Sequence, residues 1–229
     1  AAKFRYMFGG QHGAPMVVRT MVGAGMGAGP QHSQAIYPIF AHIPGLKVVL
    51  PSGAYDAKGL LIQSIRDNDP VMFCEHKMLY GEEEEVPEES YQIPLGEARV
   101  VREGSDVTVV ALGRMVHLAV EAAGELEDQG ISVAVIDPRT ISPLDVDTIL
   151  DNVEETGRVV VVDEATPICS MASEIASMIV SDGFSSLRAP IRKVTAPRTP
   201  VPASPVLEAG YAPTAASIRE AVEAVYNYR

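Results

Sequence analysis

Asp106 to Glu164 read DVTVVALGRMVHLAVEAAGELEDQGISVAVIDPRTISPLDVDTILDNVEETGRVVVVDE. Three apolar, β-branched runs stand in this stretch: DVTVVAL (Asp106–Leu112), ISVAVID (Ile131–Asp137) and RVVVVDE (Arg158–Glu164). Each is continuous rather than alternating, the pattern of a strand buried on both faces of a parallel sheet. Helical patterns separate them. MVHLAVEAAGELEDQG closes at Gly130, and VDTILDNVEETG opens behind Pro143 and Asp145 and closes at Gly157. Glycine suits the left-handed residue that ends a helix. Further on come a helix, MASEIASMIVSDG (Met171–Gly183), and a fourth strand, IRKVT (Ile191–Thr195). The alternation predicts an α/β class with a doubly wound sheet over residues 93–229. A proline-rich connection, Pro197 to Pro213, leads to a terminal helix, SIREAVEAVYNY.

Upstream the pattern is shorter. PMVVR (Pro15–Arg19), KVVL (Lys47–Leu50) and PVMFCE (Pro70–Glu75) read as strands. Gln31–His42 reads as an amphipathic helix, and PSGAYDAKGLLIQSIRDND as another. Three strands without an opening β-α pair make a small core over residues 1–79, like the back half of a domain. That half domain is expected to leave Val17, Val18, Val48, Val49, Met72 and Phe73 uncovered. YGEEEEVPEES (Tyr80–Ser90) lacks apolar periodicity and reads as an exposed acidic linker over 80–92.

Composition excludes several classes. The chain has 229 residues, 47% hydrophobic and 21% charged, which is ordinary for a globular protein. Its 18 Lys+Arg stand against 30 Asp+Glu, a net charge of −12. Neither nucleic acid nor an anionic membrane surface suits that balance. Two cysteines, Cys74 and Cys169, cannot build a disulfide framework and read as buried free thiols, fitting a reducing cytoplasm or an organelle matrix. No apolar run reaches membrane-spanning length. The start, AAKFRYMFGG, has neither a signal-peptide h-region nor a Met, and reads as a cut from something longer.

VGAGMGAGPQHSQ sets Gly23, Gly25, Gly27 and Gly29 between a strand and a helix. The dinucleotide fingerprint would require a carboxylate some 20 residues on, where the chain reads GLKVVLPS. His32 follows the loop, where a helix start would favour neutral imidazole. On spacing alone it is either a proton-handling group or a cap packed in a turn. No HExxH or GxSxG pattern occurs, and His117 reads as structural.

Six segments together carry a resemblance: GPQHSQ (Gly29–Gln34), PGLKVVLPS (Pro44–Ser52), DAKGLL (Asp56–Leu61), IRDNDPVMFCEHKMLY (Ile65–Tyr80), PRTISPLD (Pro138–Asp145) and VTAPRTPVP (Val194–Pro202). The chain resembles the beta subunit of the thiamine diphosphate-dependent dehydrogenase component of 2-oxo acid and acetoin dehydrogenase complexes, from its first residue to its last. The EHKMLY segment, expected to be helical, looks closer to acetoin-type and bacterial pyruvate-type subunits than to branched-chain ones.

The resemblance implies the second half of a pyrimidine-binding domain followed by a transketolase C-terminal-like domain. It also implies that about the first third of the family's chain, with its activating glutamate, lies outside this sequence. Thiamine diphosphate would be shared with the alpha subunit, which holds the diphosphate and magnesium. The cofactor's carbanion would attack the 2-oxo carbon, carbon dioxide or acetaldehyde would leave, and a lipoyl group would be reductively acylated. His32, in its HSQ context, corresponds to the family's active-site histidine. Met16, Ser64, Ile65, Asp67 and Asp69 correspond to backbone ligands of a potassium ion, with Asp69 replacing a common asparagine. From the residues themselves, Asp67 and Asn68 could equally cap a helix and bond water. Implied partners are the alpha subunit in a heterotetramer, a second beta subunit and the lipoyl acyltransferase core. Val222, Val225 and Tyr226, with the proline-rich connection, are candidates for such contacts. A non-catalytic assembly module and another transketolase-like enzyme are the competing readings.

Overall fold

The computed structural model describes residues 1–228. The elements run α1 (Phe4–Met7), β1 (Val17–Val22), α2 (Tyr37–Ala41), β2 (Lys47–Val49), α3 (Ala54–Arg66), β3 (Val71–His76), β4 (Arg99–Arg102) and β5 (Val107–Ala111). They continue α4 (Met115–Glu127), β6 (Val133–Asp137), β7 (Thr140–Ser142), α5 (Val146–Thr156), β8 (Val159–Asp163), α6 (Met171–Asp182), β9 (Arg192–Thr195), α7 (Pro205–Glu208) and α8 (Ala215–Tyr226).

Two sheets form, with strand orders β1-β3-β2-β7 and β4-β6-β5-β8-β9. Each is parallel except for one antiparallel edge strand, β7 on β2 and β4 on β6. Sequence reading found the four parallel strands of the second sheet and missed β4, whose RVVR pattern puts a charge at each end. It also missed β7, a three-residue strand that leaves the second unit and completes the first sheet. No local pattern signals that pairing, because β2 and β7 are joined only by tertiary contact.

The buried strands divide their side chains between two cores, as the period of two requires. Val110, Val159 and Val161 face a core that also takes Val22, Val48, Leu50 and Met72 from the first sheet. Val109, Val160 and Val162 face α4 and α8 on the other side. Burying one such side chain contributes about 1.5–3 kcal/mol. The exposed pair Arg219–Glu125 contributes roughly 0–1 kcal/mol. The shared core therefore holds the two sheets together.

Several expectations are corrected by this packing. Val48, Val49, Met72 and Phe73 are buried, covered by the second unit and by α3 with Ile93, so only β1, at the sheet edge, exposes Val18. Val222 and Val225 of α8 are buried against α4 and do not form an open contact surface. The predicted helix over Gln31–His42 shrinks to Tyr37–Ala41, because the segment before it runs out as a turn and irregular chain. In EHKMLY only Lys77–Leu79 coils, as a 3₁₀ turn, while Glu75 and His76 finish β3. Glycine and capping signals hold for α5: the Asp145 side chain accepts from Thr148 N, and Gly157 ends the helix at φ 67°.

The acidic linker is partly tied down. Glu84 accepts a hydrogen bond from Tyr55 N at 2.8 Å, placing its charge at the positive end of α3. Tyr91 stacks on Tyr55 with ring centroids 4.6 Å apart.

The PRT segment supplies a polar joint between the sheets. Arg139 has φ 58°, uncommon for a non-glycine residue. It is held there by Asp137 Oδ1 on its N–H, by Leu50 N on its carbonyl, and by guanidinium bonds to Glu97 O, Ala98 O and Asp56. Asp137, fully buried, also accepts from Ser52 Oγ. Burial is the dominant influence on this carboxyl and pushes it up to about 7, against opposing hydrogen bonds. The folded chain thus keeps a proton that the unfolded chain releases near pH 4, and stability falls as pH rises between those values. Asp137→Asn is expected to remove this dependence. Relative to wild type, the variant should gain roughly 1.4 kcal/mol for each pH unit between about 4 and 7 and stay level above. Urea unfolding across that range checks it, and a constant difference would contradict it.

Candidate functional site

The C-terminal ends of β1, β3 and β8 converge on the glycine loop that follows Val22. In open α/β sheets this end of the strands is where sites form. Two carboxylates of the second unit grip the loop. Glu164, next after β8, accepts from Ala24 N at 2.5 Å. Glu208, the last residue of α7, accepts from Gly25 N at 2.8 Å through Oε1 and from Gly27 N at 2.7 Å through Oε2. The two are 4% and 6% exposed. Loop amides engaged in this way cannot cradle a phosphate, so the glycine spacing serves a carboxylate clamp rather than a nucleotide.

Glycine is required at two of these positions. Gly23 has φ 93°, and a Cβ there would overlap the His76 imidazole. Gly25 has φ 115°, and a Cβ would come within 2.9 Å of the Met78 side chain. His76 closes the arrangement: its Nδ1 accepts from Met78 N at 3.2 Å, so its Nε2 carries the proton donated to Glu164 Oε2 at 2.6 Å. The neighbouring Lys77 is buried and donates through Nζ to the His32 carbonyl.

His32 itself lies in a turn, with its N–H on Gly29 O at 3.4 Å and its side chain exposed. The expectation that it opens a helix is corrected: α2 begins at Tyr37, so no helix terminus acts on the imidazole. Beyond it, Tyr37 is buried and donates to Asp163 Oδ1. Asp163 also accepts from Ala165 N and Ala172 N, while burial pushes its carboxyl up. Burial, reinforced by the Asp163 charge, lifts the Tyr37 hydroxyl well above its usual range, so it stays a donor. The segment bearing His32 is therefore strung between the glutamate clamp and the Tyr37–Asp163 bond.

A cleft of about 800 Å³ lies on one side of the loop, with Gly25, Met26, Met78, Arg114 and Glu208 on its walls. A smaller pocket of about 310 Å³ lies on the other, beside Gln34, Glu164 and Tyr211. Cys169 lines this pocket and is exposed, which corrects its reading as a buried thiol; Cys74 is buried, and burial pushes its thiol up to about 12.

The residues read as cation ligands gather elsewhere, where α3 ends and β1 and β3 begin. The Met16 carbonyl accepts from Val71 N at 2.9 Å, and the Ser64 carbonyl accepts from Asp67 N at 3.3 Å. The Asp67 carboxylate pairs with Lys47 at 2.6 Å and accepts from Asp69 N. Asp69 takes a two-pronged bond from Arg5. Ile65 stays exposed on α3. Both carboxylates are thus paired with cationic side chains, and the Met16 and Ser64 carbonyls each already accept one main-chain hydrogen bond.

Sequence reading missed His76, Lys77, Glu164 and Glu208. The first three had a usable signal, since each follows or ends an apolar strand run, where site residues collect. Glu208 had none.

Residues 96–218 match the family described as transketolase, C-terminal domain, and residues 1–83 match transketolase, pyrimidine binding domain. The chain is 59% identical over 221 residues to the acetoin:2,6-dichlorophenolindophenol oxidoreductase subunit beta of Cupriavidus necator, covering 96% of this chain and 65% of that protein. It is 48% identical to the pyruvate dehydrogenase E1 component subunit beta of Bacillus subtilis, covering 89% of this chain and 63% of that one. To the subunit of the same name from Rickettsia felis it is 43% identical, covering 100% of this chain and 70% of that protein. The chain thus spans 65% and 63% of the length of the first two relatives. Among solved structures, one described as a split gene transketolase, inactive beta4 tetramer, superposes with a TM-score of 0.74 at 24% identity, covering 92% of this chain and 65% of that chain; it supports the fold.

Gly23→Ala is expected to destabilise by about 1–3 kcal/mol or more, since strain and overlap with His76 add. Gly27→Ala, with φ 65° but its nearest atom 3.6 Å away, should lose only about 1–2 kcal/mol. Urea midpoints of the two variants check the order; equal midpoints would count against the His76 contact.

Proposed function

The chain belongs to the family of beta subunits of thiamine diphosphate-dependent 2-oxo acid and acetoin dehydrogenases, and we propose that it is the subunit that brings the proton-handling His32 to an acetoin-cleaving or pyruvate-decarboxylating assembly. The carrying observation is the treatment of one loop. Its backbone is clamped from both sides, while the His32 side chain is left in solvent reach. A group meant only to cap a turn would have its ring nitrogens engaged. An exposed imidazole on a fixed backbone can hold or move a proton at a substrate oxygen or at the sulfur of a lipoyl acceptor. Acetoin is favoured as substrate over pyruvate by identities of 59% and 55% to acetoin-type subunits, against 48% to the pyruvate-type subunit from Bacillus subtilis.

Thiamine diphosphate, when bound, supplies the nucleophilic carbon for such chemistry. The glycine loop does not fit its diphosphate: the amides of Ala24, Gly25 and Gly27 already bond carboxylates, and two negative charges face the loop. We therefore assign the diphosphate and its magnesium to an alpha-type partner. No group of three His, Cys, Asp or Glu side chains among the described residues could hold a metal. A second beta subunit and a lipoyl acyltransferase core complete the proposed partners. A cytoplasmic setting accompanies this reading; two free thiols suit it, and no described helix is long and apolar enough to cross a membrane.

For the cation, we assign the main-chain oxygens of Met16, Ser64, Ile65, Asp67 and Asp69 to potassium. A hard monovalent ion takes neutral carbonyls at a helix C-terminus without needing free carboxylates. The thermal midpoint should then rise with potassium chloride relative to choline chloride at equal ionic strength, by ligand stabilisation. Identical midpoints would remove the assignment.

With an alpha-type subunit and the family's N-terminal segment supplied, the chain is expected to support thiamine diphosphate-dependent dye reduction, faster with acetoin than with pyruvate; without that segment it should not turn over either. His32→Ala should reduce acyl transfer to lipoamide by about 10²–10⁴-fold without changing the far-ultraviolet spectrum. A variant at the wild-type rate would leave His32 as a turn residue.

A further inference from the structure

Glu208 lies outside both apolar sheet cores, yet it is 6% exposed and both its oxygens are used. It accepts alternate amides of the glycine loop, Gly25 and Gly27, across 183 and 181 residues of chain. Hydrogen bonds to an ionised acceptor are the stronger kind. The base that carries Glu208 is itself rigid. Its N–H bonds Ser204 O at 2.8 Å, its carbonyl accepts from Tyr211 N, and prolines at 197, 200, 202, 205 and 213 restrict the connection around it. Ala24 of the loop packs with Ala196, Val201 and Tyr211 of that connection in a cluster separate from the sheet cores.

The clamp acts on what comes next in the chain. Five residues after Gly27, His32 is tied through its own backbone to Gly29 and Lys77. With Gly25 and Gly27 fixed upstream and Tyr37 fixed downstream, the His32 backbone has little freedom. Glu164 contributes to the same end but also partners buried His76, so its loss would disturb the core. Glu208 bonds the loop through both oxygens and borders the 800 Å³ cleft.

We propose that Glu208 is a positioning residue for His32, holding the glycine loop so that the imidazole stands at a fixed place. This rests on the reading of His32 as the proton-handling group. A misplacement of about 1 Å can cost some 10²-fold in rate.

Two measurements on the chain, joined to the family's N-terminal segment and assembled with its alpha-type subunit, test it. Hydrogen exchange should show lost protection at Gly25 and Gly27 in Glu208→Ala, with β5 and β8 amides unchanged. In a double-mutant cycle, Glu208→Ala should lower kcat for lipoamide acylation by about 10²-fold with KM nearly constant, and have no further effect in a His32→Ala background. If Glu208→Ala fails to fold, Glu208→Gln, which keeps one acceptor, carries the same cycle with a smaller loss. Unchanged exchange at both glycines, or an equal fold-loss in both backgrounds, overturns the role of Glu208 alone. A His32→Ala assembly at the wild-type rate overturns the functional reading, and this proposal with it, even where exchange at the glycines has increased.

Discussion

Four buried carboxylates of the second unit are turned toward the first and held by its donors. Asp137 receives Ser52, Asp163 receives Tyr37, Glu164 receives Ala24 and His76, and Glu208 receives Gly25 and Gly27. All four are at most 6% exposed. A buried carboxylate left without donors costs far more than a surface one. The two sheets can therefore pack their shared core only in an arrangement that satisfies all four at once. The apolar core supplies the attraction; the carboxylates select the register.

That constraint explains the glycine loop. Glycine-rich turns between a strand and a helix often present free amides to an anion. Here the anions belong to the protein. The loop's left-handed glycines allow the backbone to approach His76 and Met78 closely, and the carboxylates accept its amides. A backbone held on several hydrogen bonds and ending in an exposed histidine results. At the positions assigned above to a cation, the carboxylates are paired with Lys47 and Arg5.

Much of this was legible in the residues. DVTVVAL, ISVAVID and RVVVVDE declared buried parallel strands, and Asp145 and Gly157 declared the ends of α5. Such signals survive because burial on two faces and helix capping depend on neighbours in the chain. The errors lie where that dependence fails. Gln31–His42 carries a helical pattern, but Lys77 holds the His32 carbonyl in a turn, so only Tyr37–Ala41 coils. Val48 and Met72 read as uncovered because the side chains that cover them come from the second unit.

The sequence by itself determined the α/β class, the order of the parallel strands and the long helices between them, the two-part organisation and the place of His32 after a glycine loop. Periodicity, caps and motifs are properties of consecutive residues, and they need no partner to be read. Only the tertiary structure decided which carboxylate meets which donor, that β7 crosses to the first sheet, and that the loop is clamped rather than open. The bonds that fix the site join residues 85, 126, 140 and 183 positions apart. At such separations nothing in local propensity links the partners; they meet because burying the apolar strands leaves each carboxylate one set of donors within reach.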